Sequence, residues 1–252
     1  DFVFYHIFAP FCFYMILGSV GLMNFFINVY KVLSDAIYIN LITEDRYLMF
    51  WDGFLVSMKL TIFAALLGIV IGLFLAIFKL TKIKILNKIA TLYIDVIRGT
   101  PAVVQLVIIY YAILGSSSLP KILIASVAFG MNSGAYVAEL IRAGIMAVDK
   151  GQMEAARSLG FSYAQSMRYI IVPQATKNIL PALGNESITL LKETAIAGYI
   201  ALDDLTRVGN NIRSRTFDAY TPFILVALVY LYITSILTWL LGMLERRMRQ
   251  SD

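Results

Sequence analysis

The sequence predicts an all-α fold, a polytopic membrane helix bundle. Hydrophobic residues make up 60% of the 252 residues and charged residues 15%, and the mean hydropathy is +0.77. Soluble domains carry roughly 25% charged residues. The apolar residues also lie in long blocks, and a helix needs about 20 consecutive apolar residues to cross a bilayer. Because lipid offers the backbone no hydrogen-bond partners, these blocks are predicted to be helices.

Six apolar blocks follow one another along the chain, and each is predicted to form a long helix. They lie at about residues 4–30, 54–78, 89–114, 119–147, 178–201 and 223–244. Asn24 and Asn28 interrupt the first block, which leaves open whether it crosses the membrane fully. We therefore expect five core spans and an additional N-terminal helix within residues 1–45, either transmembrane or membrane-associated.

The positions of lysine and arginine predict the orientation of the bundle. Basic residues are concentrated in 79–88, in 148–177 and after Leu244. Basic loops stay preferentially on the cytoplasmic side of a membrane, so these three regions and the C-terminus are predicted to be cytoplasmic. The polar stretches 31–52 and 202–220 then face outward, although the second also contains arginines. Six crossings would leave the N-terminus in the cytoplasm, and five would leave it outside.

The composition argues against several classes of function. One cysteine, Cys12, and one histidine, His6, are too few for an internal disulfide or a Cys/His metal site. The net charge of +5 comes from basic flanks of apolar blocks rather than from a nucleic-acid-binding patch. The chain contains no G-x-x-x-x-G-K-[ST] sequence with which to hold the phosphates of ATP. We expect no catalytic residues, no metal and no cofactor in this chain.

The most informative segment is 154–173, in a predicted cytoplasmic region. It reads Glu154-Ala155-Ala156, three residues, Gly160, nine residues, and then Ile170-Ile171-Val172-Pro173. This spacing resembles the E-A-A, three residues, G, nine residues, I-x-L-P signature of the membrane subunits of bacterial ABC importers. The one departure is Val172, which stands where the family usually has leucine.

The residues of this segment predict two short helices joined at a tight turn. Residues Glu154 to Leu159 are good helix formers, Gly160 suits a left-handed turn residue, and Ser162 is a plausible N-cap for 162–170. The resemblance implies coupling helices at about 148–175 that contact a separate ATPase subunit. The residues assigned to that contact are Glu154, Ala155, Ala156, Gly160, Ser162 and Pro173. The alternative is an ordinary amphipathic connector.

Other stretches resemble the subfamily that imports histidine, glutamine, glutamate, arginine and related solutes. They are Arg98–Pro101 with Gln105, Tyr136–Ile145, Lys150–Gln152 and Leu191–Thr194. The resemblance covers about residues 50–246, which are expected to form a transmembrane domain of the type I ABC importer fold. Residues 1–45 are not matched.

The resemblance implies a permease subunit in the bacterial cytoplasmic (inner) membrane, part of an ATP-driven importer for polar amino acids. Its expected partners are a second permease, either an identical copy or a paralogue, and two ATP-binding cassette subunits that bind ATP and Mg. An extracytoplasmic amino-acid-binding protein would deliver the solute. The sequence does not distinguish a homodimer from a heterodimer, and it does not identify the amino acid.

Polar residues inside the predicted spans indicate a substrate pathway, because ionisable groups are costly in a membrane. Helical spacing places Asn132 with Tyr136 and Glu139, and Asn185 with Thr189 and Lys192. The pathway candidates are Arg98, Gln105, Tyr136, Glu139, Asn185, Thr189, Lys192 and Glu193.

The third block is predicted to be kinked or broken at Gly99 and Pro101. Proline at position 101 leaves the carbonyl of Ile97 without its helical partner, and broken helices are one way in which transporters bind zwitterions.

Alternative interpretations of these residues remain open. Glu139–Arg142 and Asp95–Arg98 could be structural pairs that hold the bundle. Glu186 and Glu193 favour a cationic solute, whereas Lys192 favours an anionic one. The glycines of the second and fourth blocks are expected to let helices approach closely.

Two other classes of protein compete with the importer reading. An ion-coupled secondary amino-acid transporter is the main alternative, but it usually contains two inverted repeats, and no duplication is visible. An intramembrane enzyme would need paired catalytic or metal-ligating residues, which the sequence does not offer.

Overall fold

A computed structural model describes the backbone of residues 9–249, and side chains from 23 to 248. This part of the chain contains helices and no strand, which confirms the predicted all-α fold. The helices are α1 Ala9–Ile37, α2 Arg46–Leu80, α3 Lys84–Arg98, α4 Ala102–Val107, α5 Lys121–Met146, α6 Lys150–Ser158, α7 Tyr163–Ser166, α8 Val172–Glu193, α9 Leu205–Thr216 and α10 Thr221–Arg249. Tyr38–Ile42, Ile108–Ile113 and Met167–Ile171 are π-helical, and Thr43–Asp45 and Thr194–Ile200 are 3₁₀-helical.

Three stretches of the described residues are long and apolar enough to cross a membrane. They are Met23–Leu80, Lys121–Met146 and Thr221–Met248. The third predicted block is bent by 104° between α3 and α4, and it counts as a fourth span only if the bent pair crosses as a unit. The fifth block, which forms α8, does not reach this apolarity because polar residues recur along it.

Helices α2 and α5 pack closely along their length, and glycines make this possible. A Cβ atom added at Gly72 would lie 2.5 Å from Val137 Cγ1, and one at Gly134 would lie 2.7 Å from Ile71 Cγ2. These distances are shorter than any ordinary van der Waals contact, so side chains on one helix occupy the space left by glycines on the other. The prediction that these glycines allow close approach is confirmed.

The main apolar core lies where α2, α4, α5 and the end of α8 meet. Four large side chains there are no more than 1% exposed: Leu60, Leu106, Phe129 and Leu190. In contrast, α10 leaves most of its apolar side chains exposed, as expected of a helix that faces lipid.

The predicted outward stretch 31–52 is mostly helical. Helix α1 continues to Ile37, and α2 begins at Arg46. The tight turn between them is fixed by Asn40, which is fully buried and donates to Asp218 Oδ2 over 2.8 Å. Thr216 donates to Asn40 Oδ1 over 3.0 Å. The N-terminal helix is therefore attached to the end of α9 and the loop before α10. Residues 4–8 of the predicted first block lie outside the described chain.

The prediction of a polar loop at 202–220 was wrong in one respect, because this stretch contains the amphipathic helix α9. Asp204 caps it by accepting from the amides of Thr206 and Arg207 over 2.9 and 3.3 Å. Leu205 and Ile212 are fully buried on its inner face. Two turns of helix separate them, and the polar residues in between, among them Asn210 and Asn211, hid that period in the sequence.

Substituting Gly72 with alanine is expected to destabilise the fold by about 1–3 kcal/mol. The new methyl group would meet the β-branched side chain of Val137, which has little freedom to move. Thermal unfolding of the purified protein in detergent measures the effect. Gly242→Ala is the matched control, because nothing lies within 4 Å of the added Cβ there. Equal stability of the two variants would contradict this account of the α2–α5 contact.

The stability of the protein is expected to fall between about pH 4 and pH 6 because of Asp204. Burial raises the pKa of this carboxyl from 3.8 to about 6, so the folded state holds the proton more tightly than the unfolded state. Asp204 therefore contributes most to the free energy of unfolding below pH 4. Up to about 3 kcal/mol of that contribution is lost as the pH rises through 6.

Unfolding midpoints of the wild type and Asp204→Asn across this range test the assignment. The asparagine variant should lose this pH dependence. Asp203→Asn, at an exposed neighbouring carboxylate, should keep it. An unchanged pH profile in Asp204→Asn would show that another group is responsible.

Candidate functional site

The break between α3 and α4 is the first element of the site. The sequence Gly99-Thr100-Pro101 ends α3, and the chain bends by 104° before α4. The carbonyl of Ile97, which has lost its helical partner, accepts from Gln105 Nε2 over 2.7 Å. The same nitrogen also donates to Thr100 Oγ1 over 2.8 Å. The predicted break is confirmed, and the side chain of Gln105 satisfies the backbone group that the break exposes.

Gln105 joins this break to the centre of α5. Asn132 Nδ2 donates to Gln105 Oε1 over 2.9 Å, and both side chains are buried. Each amide group therefore has a partner in a place where an unpaired polar group would cost about 1–3 kcal/mol. This pair fixes the angle between α4 and α5.

The next residues of α5 bring charged groups to the same region. Ser133 donates to Glu186 Oε1 of α8 over 3.2 Å, and Glu186 interacts electrostatically with both Arg98 and Glu193. The guanidinium carbon of Arg98 lies 5.2 Å from the centre of the Tyr136 ring. Together these residues form the central polar cluster, which consists of Arg98, Gln105, Asn132, Ser133, Tyr136, Glu186 and Glu193.

Helix α8 carries a second polar surface beside this cluster. Asn185, Thr189 and Lys192 are all exposed on one face, as their spacing predicts, and Glu186 and Glu193 are half-buried on the adjacent one. We call the exposed three the α8 polar face. A polar face on a membrane helix is stable when it borders water or another protein surface.

Glu139 has different neighbours from the other pathway candidates. One of its carboxylate oxygens accepts from Lys79 Nζ of α2, and the other accepts from Arg142 Nε over 3.0 Å. These contacts agree with the structural alternative for Glu139 and Arg142. The second proposed pair does not form in the described chain, where Arg98 stacks on Tyr136 and Asp95 has no ion pair with it.

The segment 148–175 has the two short helices that the sequence predicts. Asp149 caps α6 by accepting from the amide of Gly151 over 2.7 Å. Gly160 follows α6 with φ of +88°, in the left-handed region. Ser162 and Gln165 then form a reciprocal capping box at the start of α7, with hydrogen bonds of 2.8 and 3.3 Å. The turn at Gly160 and the N-cap at Ser162 are therefore confirmed.

The second short helix was predicted to end at residue 170, but in the structure it does not end there. It continues through the π-helical residues 167–171 into α8, and Pro173 lies in the first turn of α8, directly after the π-helical turn. Pro173 therefore does not end the helix here. Helix α7 and the α8 polar face consequently lie on one continuous helix.

The coupling candidates divide into exposed and buried residues. Glu154 and Ala155 are exposed, whereas Ala156 is 1% exposed and its carbonyl accepts from the amide of Phe161. Leu159, which sequence reasoning did not select, is 78% exposed at the tip of the segment. An exposed leucine at a turn between two capped helices is the signal that could have identified it.

Two other functional residues were missed in the sequence. Lys79 was assigned to a basic loop, but it lies in the last turn of α2. Ser133 was overlooked because serine is unremarkable inside a helix, although its neighbour Asn132 was noted. No group of three or more metal-ligating side chains occurs in the described part of the chain.

Comparison with known proteins identifies the family. Residues 68–250 match the family described as binding-protein-dependent transport system inner membrane component. The chain is 39% identical over 203 residues to an arginine transport system permease protein of Bacillus subtilis, covering 80% of this chain and 93% of that protein. It is 38% identical over 198 residues to a glutamine transport system permease protein of Escherichia coli, covering 76% and 90%.

Solved structures agree with this match. The crystal structure of an amino acid ABC transporter with histidines superimposes with a TM-score of 0.76 at 48% identity, covering 79% of this chain and 94% of that one. An inward-facing methionine ABC transporter superimposes with a TM-score of 0.71 at 19% identity, covering 82% and 99%, which supports the fold alone.

These matches decide between the two transporter classes that the sequence left open. The family model covers most of the chain, and the relatives are components of ABC transporters rather than ion-coupled carriers. The fold is that of the type I ABC importer permeases. The chain belongs to the family of binding-protein-dependent transport system inner membrane components.

Proposed function

We propose that the chain is the permease subunit of an ATP-driven importer for polar amino acids, and that it forms the translocation pathway. The observation that carries this proposal is the central polar cluster next to the α8 polar face. The relatives named for arginine and glutamine transport support the solute class.

The cluster has the charges that a free amino acid requires. Arg98 is exposed beside Tyr136 and offers a guanidinium to a substrate carboxylate. Glu186 and Glu193 offer carboxylates to a substrate ammonium group. Gln105 and Asn132 add a rigid amide pair at the bend, so that the charged groups on either side keep their spacing. The subunit breaks no covalent bond, and its residues bind and orient the solute.

The α8 polar face suggests how the subunit assembles. Asn185, Thr189 and Lys192 would line a pathway between this chain and a second permease, either an identical copy or a paralogue. The basic end of α2 and the C-terminal arginines would lie in the cytoplasm of a bacterium, on the inner side of its cytoplasmic membrane. An extracytoplasmic binding protein would deliver the amino acid to the opposite side.

The cytoplasmic segment α6–Gly160–α7 would dock on an ATP-binding cassette subunit, with Glu154, Ala155 and Leu159 among the contacts. ATP and Mg would be bound by two such subunits and not by this chain. Because α7 runs continuously into α8, a displacement of α7 would tilt the helix that carries the polar face. Closure of the ATPase pair would in this way switch the pathway from inward-facing to outward-facing.

Gly160→Val is expected to uncouple ATP hydrolysis from transport. A β-branched residue at a positive φ is strained by about 1–3 kcal/mol, although open space surrounds the Cβ position. We expect the stimulation of ATPase activity by the solute-loaded binding protein to fall roughly tenfold in the co-purified complex.

Gly160→Asn is the matched control, because asparagine tolerates a positive φ, and it should retain most of the stimulation. Equal activity of both variants, or the absence of any stable complex with an ATPase subunit, would contradict the docking assignment.

Lys192→Ala is expected to impair amino-acid uptake while the complex still assembles, because this side chain lies on the α8 polar face. The loss of transport is measured as uptake of radiolabelled amino acid into proteoliposomes. Size-exclusion chromatography shows whether the complex has assembled. Lys59→Ala removes an exposed lysine from α2 instead and should transport normally. Normal uptake by Lys192→Ala would remove Lys192 from the pathway.

A further inference from the structure

A three-residue ionic contact joins the inner ends of α2 and α5, outside the central polar cluster. Glu139 accepts from Lys79 through one carboxylate oxygen and from Arg142 through the other. The exposed fractions of the three side chains are 20% for Lys79, 17% for Glu139 and 32% for Arg142. Both oxygens of Glu139 are occupied by cations of its own chain, so neither is offered to a substrate.

Neighbouring hydrogen bonds extend this contact to a third helix. Asn87, near the start of α3, donates from Nδ2 to the carbonyl oxygen of Lys79. Arg142 also lies 2.7 Å from Met146 Sδ at the end of α5. The last turn of α2, the first turn of α3 and the last turns of α5 are thus bonded to one another. We call Lys79, Glu139, Arg142 and Asn87 the inner joint.

The inner joint lies directly beside the element that receives force. Helix α5 ends at Met146, and α6 begins at Lys150 after only a short turn. The same end of α5 touches α8, where a Cβ added at Gly144 would lie 2.3 Å from Ile179 Cγ1. A displacement of α6 therefore reaches the inner end of α5 through this short turn, in addition to the route through α7 into α8.

The two cations of the joint depend on the one carboxylate that lies between them. Lys79 and Arg142 are both partly withdrawn from water and are held together by the single negative charge between them. Without that charge the two cations would repel, and the inner ends of α2 and α5 would separate. Removing one partner of a buried ionic contact is far more damaging than never having had the contact.

The middle of the α2–α5 interface does not provide the same directional bonding. There, glycines of one helix face side chains of the other, among them Leu67, Ile71 and Val137. These contacts hold the helices near each other but provide no directional bond along the helix axis. The ionic contact and the Asn87 hydrogen bond are directional, and they resist sliding of one helix past the other.

We propose that the inner joint makes α2, α3 and α5 move as one body when the coupling helix α6 is displaced, and that Glu139 is its positioning residue. Glu139 then transmits movement and does not contact the amino acid. This inference rests on the proposed docking of α6–Gly160–α7 on an ATPase subunit.

The test is the number of amino acids transported per ATP hydrolysed by the complete transporter in proteoliposomes. Glu139→Gln should lower this ratio roughly tenfold, because ATP hydrolysis continues while the helices move independently. The KM for the amino acid and the preference among arginine, glutamine and glutamate should not change. Lys79→Gln should have the same effect, whereas Lys82→Gln, at an exposed lysine one turn away, should have none.

Exchange of the two charges distinguishes a joint from a substrate contact. The double variant Lys79→Glu, Glu139→Lys restores an opposite-charge pair between α2 and α5, and it should recover most of the lost ratio. A changed KM or altered solute preference in Glu139→Gln would overturn the proposal, since it would make Glu139 a substrate ligand. A double variant that assembles but stays uncoupled would overturn it as well.

The docking proposal and the joint proposal can fail separately. If Gly160→Val uncouples the transporter but Glu139→Gln and Lys79→Gln do not, docking is correct and the joint is wrong. If Gly160→Val has no effect while the joint variants uncouple, force enters the bundle elsewhere and the docking assignment is wrong. If all three variants retain the wild-type ratio, both proposals fail.

Discussion

The freed carbonyl of Ile97 is the constraint on which the site depends. A backbone oxygen without a partner inside a membrane bundle costs several kcal/mol, and the break at Gly99 and Pro101 creates such an oxygen. Gln105, on the next helix, donates to this oxygen through Nε2. The other end of its amide group, Oε1, accepts from Asn132. The bend is therefore inseparable from the polar residues of α5. The same bend leaves Arg98 at the end of α3, where it can reach Tyr136.

Much of the fold could be predicted because lipid permits so few solutions. Apolar blocks predicted α5 and α10 to within five residues at each end, and α2 except for its first eight residues. Pro101 located the break without any structure. The turn at Gly160 and the cap at Ser162 followed from backbone preferences that act locally. These features depend on a single residue or on a continuous run, which is why one sequence suffices to find them.

The remaining features depend on partners far away in the chain. The amphipathic helix α9 looked like a loop because its polar and charged residues together outnumber the apolar ones that it buries. Lys79 looked like a loop residue, since its basic charge indicates a side of the membrane but not the carboxylate that it meets sixty residues later. Ser133 has no sequence signal at all. The roles of the pathway and coupling candidates stay predictions, because their tests need the solute and the ATPase subunit.

The attachment of α1 has an evolutionary consequence. The family match begins at residue 68, and the described part of α1 is almost entirely exposed. Among the described residues, the buried amide of Asn40 bonds the segment after α1 to Thr216 and Asp218. These bonds do not involve the close contact between α2 and α5, so a helix can be added before α2 without repacking that contact. The junction at Asn40 is thus a point of modular variation, at which an N-terminal helix can be gained or exchanged while the α2–α5 core stays the same.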